Sequence, residues 1–520
     1  VKQVVQGIQR AFDSFQFSWI ALLCLFLPIW LFLWPPSNIL RDGDTLWLLK
    51  TGFWILDHGR IPASNVLAGG YEQLAQWPLV CYQWLFQVLL AGIYRLMGFY
   101  GVVWLSASLL ILSIPVMARW LERLGFQSGL ERVLALLVAL VPLGYFLLAR
   151  PMVASLLFVC LEALVLTRFH RQDKSQVEGF RPQLFQALFW AIFFAVWANL
   201  HLGFIFGLIV LAVYQLEACL RERRWQPLTP LMASALATGL NPSGFALYPY
   251  LSTLAGSPYM NANIRELQPV NFHNHPALHG YFLLVFLAFA VGWRDSRIRL
   301  AERACCLLSL WMALFLLRHL FYLMVFITPF MASLAHTGLN QLTGLLPWSR
   351  KLGPFLPKRE AVWRWMAVSL ILGLGLAVNQ SFPIRIPHVE GLKGFLQYTE
   401  AHPIGRPLLT LGTNGDVLLW KSKERALIDT RFDMYGDAYV AGCMQAYRLA
   451  PGWEKFFRQH AVHDVLYPSQ PAYSNMVSIL VQLHGWQVRY RDAHVTWLSD
   501  YPSDSRQINT IRQSYDEERR

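Results

Sequence analysis

Charge is scarce in this chain. Only 14% of its 520 residues are Asp, Glu, Lys or Arg, while 55% are hydrophobic. A soluble globular chain carries nearer a quarter charged residues, so that class is excluded. Cysteine is sparse too. Of the seven, Cys24, Cys160, Cys219, Cys305 and Cys306 fall in or beside apolar runs, which leaves only Cys81 and Cys443 for aqueous regions. That excludes a disulfide framework, and no pair has zinc-ligand spacing. No solenoid-type repeat is present. The first apolar run lacks a small-residue cleavage site and ends "LWPPSN", so it reads as a retained helix.

The abundant feature is the long apolar run. Runs of about 17–20 residues recur, each long enough to cross a bilayer core. They predict about eleven spans, near 16–34, 100–118, 133–149, 152–168, 185–200, 202–219, 228–241, 281–293, 304–317, 320–338 and 365–380. The net charge of +13 sits in short clusters between these runs, which is a topology signal and argues against nucleic acid. The run 79–97 is ambiguous. If it lies along the outer interface, the inner segments hold twenty-one Lys and Arg, and the outer segments before residue 381 hold seven. If it spans, every later cluster inverts. The positive-inside rule selects the first arrangement, with a cytoplasmic N-terminus. Trp77, Tyr82, Trp84 and Tyr94 also suit an interfacial helix.

Residues 381–500 are far more polar and read as a small α/β domain on the outer side, followed by a loose or surface-helical tail, 501–520. "RPLLTL", "RALIDTRF" and "HDVLYP" read as strands, "AYSNMVSILVQLHG" as a helix ended by Gly485, and "WQVRYRDAHVTWL" as a hairpin. The expected fold is a polytopic α-helical membrane protein with a transmembrane domain over 1–380, whose first outer loop spans 35–99, and the small C-terminal domain.

That topology gathers polar residues on the outer side. Asp42 and Asp44 follow the first run. Arg150 lies at the next outer turn, then Asn199 and His201, then Asn241 in "NPSG". Arg265, Glu266, His273 and His275 occupy a later loop, and Arg318 and His319 another. Each also has a plain structural reading. Asp44 suits an N-cap for a helix starting at Thr45. Gly43 suits a tight turn. Arg150 and Arg318 suit snorkelling, Asn199 and His201 interhelical hydrogen bonds, and "NPSG" a helix stop. A transporter would place polar groups at mid-bilayer depth rather than at helix ends. A non-catalytic membrane assembly protein is the other alternative.

The stretches "DGDTLWLLKTGFWILDHGRIPASN", "QWPLVCYQWLFQ", "WANLH", "NPSG" and "RH", in this order and sidedness, resemble the bacterial GT-C membrane glycosyltransferases. "ALIDTRFDMYGD" is similar to part of that group's outer C-terminal domain. The chain departs from the pattern at Gly43, where Pro is usual, and at Gln83, where Glu is expected. The resemblance implies a sugar moved from a polyprenyl-phosphate donor to a periplasmic acceptor at the outer face of the bacterial inner membrane, amid membrane lipids. That chemistry needs a base and cations for the leaving phosphate. Asp42 is then the base or a metal ligand, with Asp44 as its helper. Arg318 and His319, with Arg150, bind the donor phosphate, and Asn199, His201 and Glu266 line the pocket. An Mg²⁺ or Mn²⁺ ion would need further oxygen ligands beyond the aspartates, with Glu266 the nearest candidate.

Overall fold

The apolar runs fold as helices. A computed structural model describes residues 39–68, 71–171, 180–273, 276–345, 359–379 and 384–500. The expected first span, the tail 501–520 and His275 lie outside these residues. Two compact units are resolved by their internal contacts.

Among the described residues, the first unit comprises those within 96–247 and 262–379. Its helices include Gly129–Ala139, Met152–Arg171, Phe180–Leu200, Phe204–Glu222, Thr229–Ala237, Pro276–Gly292, Leu300–Phe315, Leu320–Phe326, Thr328–Leu345 and Arg359–Val378. The expected spans from 133–149 to 365–380 all coincide with helical segments. Among the described residues, four helices are long and apolar enough to cross a membrane. A fifth results if Leu317–Phe326 and Thr328–Gln341, bent by 54°, count as one. Many of the other helices are shorter than the roughly 20 residues a span requires.

Packing in this unit is aromatic and close. Phe194 and Trp197 stack at 5.6 Å, and Trp197 leaves no room for a Cβ at Gly207. Trp120 Nε1 donates to Thr167 Oγ1 at 2.9 Å, which satisfies a buried indole. The opposite helix faces are apolar and exposed: Leu184, Phe185, Leu188 and Ile192 on one helix, Leu283, Phe286 and Leu287 on another. Such faces suit hydrocarbon surroundings and are costly in water.

Among the described residues, the second unit comprises those within 39–95, 248–261 and 384–500. Its sheet has strands β1 (Asp464–Pro468), β2 (Gln487–Arg491) and β3 (Val495–Ser499), in the order β1-β3-β2 and antiparallel throughout. The expected hairpin is β2–β3, with a register shift between Val488 and Tyr490. "RPLLTL" and "RALIDTRF", read as strands, instead make single parallel bridges: Leu408 to Ala426, and Leu409 to Val465. The expected helix before Gly485 is divided into a 3-10 turn, a short α-helix and a π-helical turn, and Gly485 has φ 71°. The helix Pro387–Ala401 sets Phe395 against Tyr490 and Trp497. Cys443, Tyr447, Val465, Tyr467, Leu480 and Leu498 belong to a single core.

The helix Asp44–His58 also belongs to this unit and buries Leu46, Leu48, Leu49 and Ile55. Leu56 is 38% exposed. A Cβ at Gly52 would strike the carbonyl of Gln87 in the helix Trp84–Leu124, so the two helices approach at backbone distance there.

Candidate active site

In the second unit, the Asp pair lies where the chain enters the helix Asp44–His58. The two expectations about this entry need correction. Gly43 has φ −62° and ψ −32°, a right-handed conformation open to any residue, so no special turn explains the glycine. Space explains it: a Cβ there would collide with Oδ2 of Asp416. Asp44 is not the cap. It is the first helical residue, and no side chain caps this end. Its Oδ1 accepts instead from Trp47 Nε1 at 3.3 Å and from the Thr430 hydroxyl at 2.5 Å. A carboxylate in the first turn is still favoured by the helix dipole. Asp42 is half-buried beside it.

Thr430 belongs to "ALIDTRFDMYGD", and this stretch works as a hub. Asp429 accepts a forked pair from Arg431, at 2.9 Å from Nε and 2.6 Å from Nη2, and a bond from the Tyr435 hydroxyl at 2.9 Å. Arg431, 2% exposed, spends Nη1 on Asn65 Oδ1 at 2.8 Å. Asp433 accepts from the Tyr250 hydroxyl, and Asp437 from Ser257 and from Tyr259 N–H. Segments 44, 65 and 250–259 are thus all tied to twelve consecutive positions, 426–437.

Asp416 completes the arrangement. It is fully buried and accepts from Thr430 N–H at 3.2 Å. Thr430 Oγ1 also lies 2.9 and 3.1 Å from its two oxygens. A threonine hydroxyl has one proton to give. With that proton on Asp44, the Asp416 contact needs a proton of its own. Burial, then the Asp429 and Asp44 charges, push Asp416 well above the usual carboxylate range, which supplies it. Asp429 goes the other way: burial would raise it, but the Arg431 guanidinium prevails and holds it below its ordinary value.

The first unit holds the expected cations. Arg150 Nη1 donates to both oxygens of Glu266, at 3.3 and 3.4 Å. The turn carrying Glu266 is joined to the turn carrying Arg318 and His319 by Leu317 N–H on Gln268 O, 2.9 Å. Arg318 is half-buried and near enough for its charge to act on His201, His319 and Tyr322. His201 is well defined. Trp197 Nε1 donates to Ser155 Oγ at 2.7 Å, so the serine proton goes to His201 Nδ1 at 2.8 Å. Gly203 N–H also points at Nδ1, at 3.1 Å. The neutral ring therefore carries its proton on Nε2. Asn199 has a structural bond pattern. Its amide donates to Ala195 O at 2.8 Å, and its oxygen accepts from Asn241 at 3.4 Å. Asn241 in turn receives Ser243 N–H at 3.0 Å, forming the expected "NPSG" turn.

Among the described residues, no three His, Cys, Asp or Glu side chains gather as a cation site. Glu266, the expected further ligand, is paired with Arg150 at 3.3 Å. Asp416, Thr430 and the Asp429–Arg431 pair were not among the expected site residues. The signal was present, since Asp429, Asp433 and Asp437 recur every four residues within twelve positions.

No family model and no curated protein matches this sequence. Solved structures match in fold. The oligosaccharyltransferase of Archaeoglobus fulgidus in the apo form has a TM-score of 0.58 at 11% identity, over 89% of this chain and 70% of that one. The archaeal oligosaccharyltransferase AglB from Archaeoglobus fulgidus, in complex with an inhibitory peptide and a dolichol-phosphate, gives 0.57 at 11% identity, over 93% and 74%. ArnT from Cupriavidus metallidurans bound to undecaprenyl phosphate gives 0.52 at 14% identity, over 92% and 98%. The resemblance to the GT-C glycosyltransferases therefore holds at the level of fold.

Proposed function

We propose that this chain is a bacterial inner-membrane glycosyltransferase that moves a sugar from a polyprenyl-phosphate donor to a periplasmic acceptor. The observation that carries the reading is the fold, shared over more than nine-tenths of the chain with structures that hold dolichol-phosphate and undecaprenyl phosphate. The N-terminus is cytoplasmic in this reading, and the candidate residues face the periplasm.

Asp42 acts as the base. It takes the proton from an acceptor hydroxyl or amine, whose oxygen or nitrogen attacks the anomeric carbon. The bond from that carbon to the phosphate oxygen breaks, and polyprenyl phosphate leaves with the electron pair. Asp44 supports the same loop. Arg318 and His319 bind the donor phosphate, because a guanidinium matches phosphate oxygens in a forked geometry. Arg150, already on Glu266, and His201, whose Nε2–H is free to donate in the neutral ring, are the further pocket groups in this reading, with Asn199 bonded within its own turn. No step is routed through a metal.

Binding of undecaprenyl phosphate tests the phosphate assignment. Truncating a charged hydrogen-bond donor costs about 1.5–3 kcal/mol. Arg318→Ala should therefore weaken binding of that lipid roughly 10- to 100-fold in a titration of the purified protein. Unchanged affinity in both Arg318→Ala and Arg150→Ala would remove the phosphate-binding role.

A further inference from the structure

Three side chains from beyond residue 384 contact the residues immediately around Asp42. On its N-terminal side, His388 Nε2–H donates to the Arg41 carbonyl at 2.8 Å. On its C-terminal side, the Asp416 carboxyl rests on Gly43 so closely that no Cβ fits between them. One residue further, Thr430 reaches Asp44 Oδ1 at 2.5 Å. Arg41, Gly43 and Asp44 are each held, and the residue they enclose is Asp42.

The grip is itself braced. Thr430 sits between Asp429 and Arg431, a buried ion pair with exposures of 5% and 2%. A pair of that kind, forked and further bonded to Asn65 and Tyr435, has one good geometry. Thr430 N–H is also fixed on Asp416. Asp416 lies in the helix Gly412–Lys421, where Gly415 abuts the Ile428 carbonyl with no space for a Cβ. The helix and the 428–431 strip are thus locked together at backbone distance, and both hold the loop.

We propose that His388, Asp416 and Thr430 are positioning residues that hold Arg41, Gly43 and Asp44 on either side of Asp42, so that the aim of its carboxylate is set by the C-terminal segment. This rests on the reading of Asp42 as the base. The same clamp gives "ALIDTRFDMYGD" a role in the reaction without contact to substrate. A displacement of about 1 Å in a reacting group is enough to cost on the order of 100-fold in rate.

Hydrogen exchange on the full-length protein in detergent tests the clamp without needing the sugar or the acceptor. Thr430→Val keeps the shape and removes the hydroxyl, whereas Thr430→Ser keeps the hydroxyl. The expected result is exchange at least about tenfold faster in the peptide covering 41–47 in Thr430→Val, with Thr430→Ser at the wild-type rate and 384–500 otherwise unchanged. Gly43→Ala, which pushes on Asp416 from the loop side, should give the same local acceleration. Wild-type exchange at 41–47 in both Thr430→Val and Gly43→Ala would overturn the clamp. So would acceleration spread evenly over 384–500, which would make Thr430 a general stability residue. The kinetic arm separates the two claims. Thr430→Val should lower kcat for transfer from a polyprenyl-phosphate sugar with KM for the donor unchanged. If Asp42→Asn transfers as well as wild type, the base assignment fails, while the exchange result still decides the clamp.

Discussion

At Asp416 a carboxyl is buried with two other aspartates for neighbours. Such a group stays neutral because the alternative is a bare charge in a dry interior. Its folded-state pKa lies well above that of a free aspartate, through burial first and then Asp429 and Asp44. The sign of the stability effect follows. A retained proton stabilises the fold fully below the unfolded pKa of about 3.9, and the contribution is lost as pH rises through the folded value. Asp416→Asn has no proton to lose. The melting midpoint of Asp416→Asn minus that of wild type should therefore grow in favour of Asn as pH is raised from about 4 to about 9. A difference that is flat or falls across that range would show that Asp416 is ionised in the fold. Nothing near Asp416 in the sequence announces any of this. "TNGDVLLW" reads as an ordinary helix, and its decisive partner Asp44 lies hundreds of positions upstream. Asp42 and Asp44, by contrast, were legible because carboxylates beside an apolar run are costly and need a reason.

At the scale of elements, the apolar runs were the most readable part, because a bilayer-length run has few alternatives to a helix. Their number was less readable. Short helices such as Thr229–Ala237 and the bent pair after Leu317 break runs that composition alone joins. The strands at 406–411 and 425–432 were over-read. Their β-like composition reflects burial on both sides, which single bridges satisfy as well as a full ladder. The segment 79–97 carries its own marker. The helix Trp84–Leu124 is interrupted at Gly98, with φ 59° and ψ −148°, a region essentially reserved for glycine. Nothing lies within 4 Å of a Cβ there, so the backbone alone demands the glycine. Gly98→Ala should lower stability by about 1–3 kcal/mol without creating a clash, seen as a fall in melting temperature of the detergent-solubilised protein. Unchanged stability would mean that the break moves to a neighbouring residue at no cost.

The molecule as a whole is readable from its charge and apolarity to the level of a multi-helix membrane protein. Order and sidedness of weak motifs carried the reading further, to a fold that the comparisons bear out at 11–14% identity. Identities that low leave chemistry to the residues themselves, and the residues divide between two units. One presents an aspartate loop braced by a buried acidic and arginine network. The other presents Arg150, Glu266, His201, Arg318 and His319 on neighbouring turns. The central claim is that Asp42 accepts the proton when a sugar leaves its polyprenyl phosphate. It is tested most directly by following release of polyprenyl phosphate from a labelled polyprenyl-phosphate sugar, with purified wild type and Asp42→Asn in the presence of periplasmic acceptor extract. Loss of a catalytic base costs about 100- to 10,000-fold. The expected result is release by wild type, a loss of that size in Asp42→Asn, and the same melting temperature for both. Equal release by the two proteins would contradict the account.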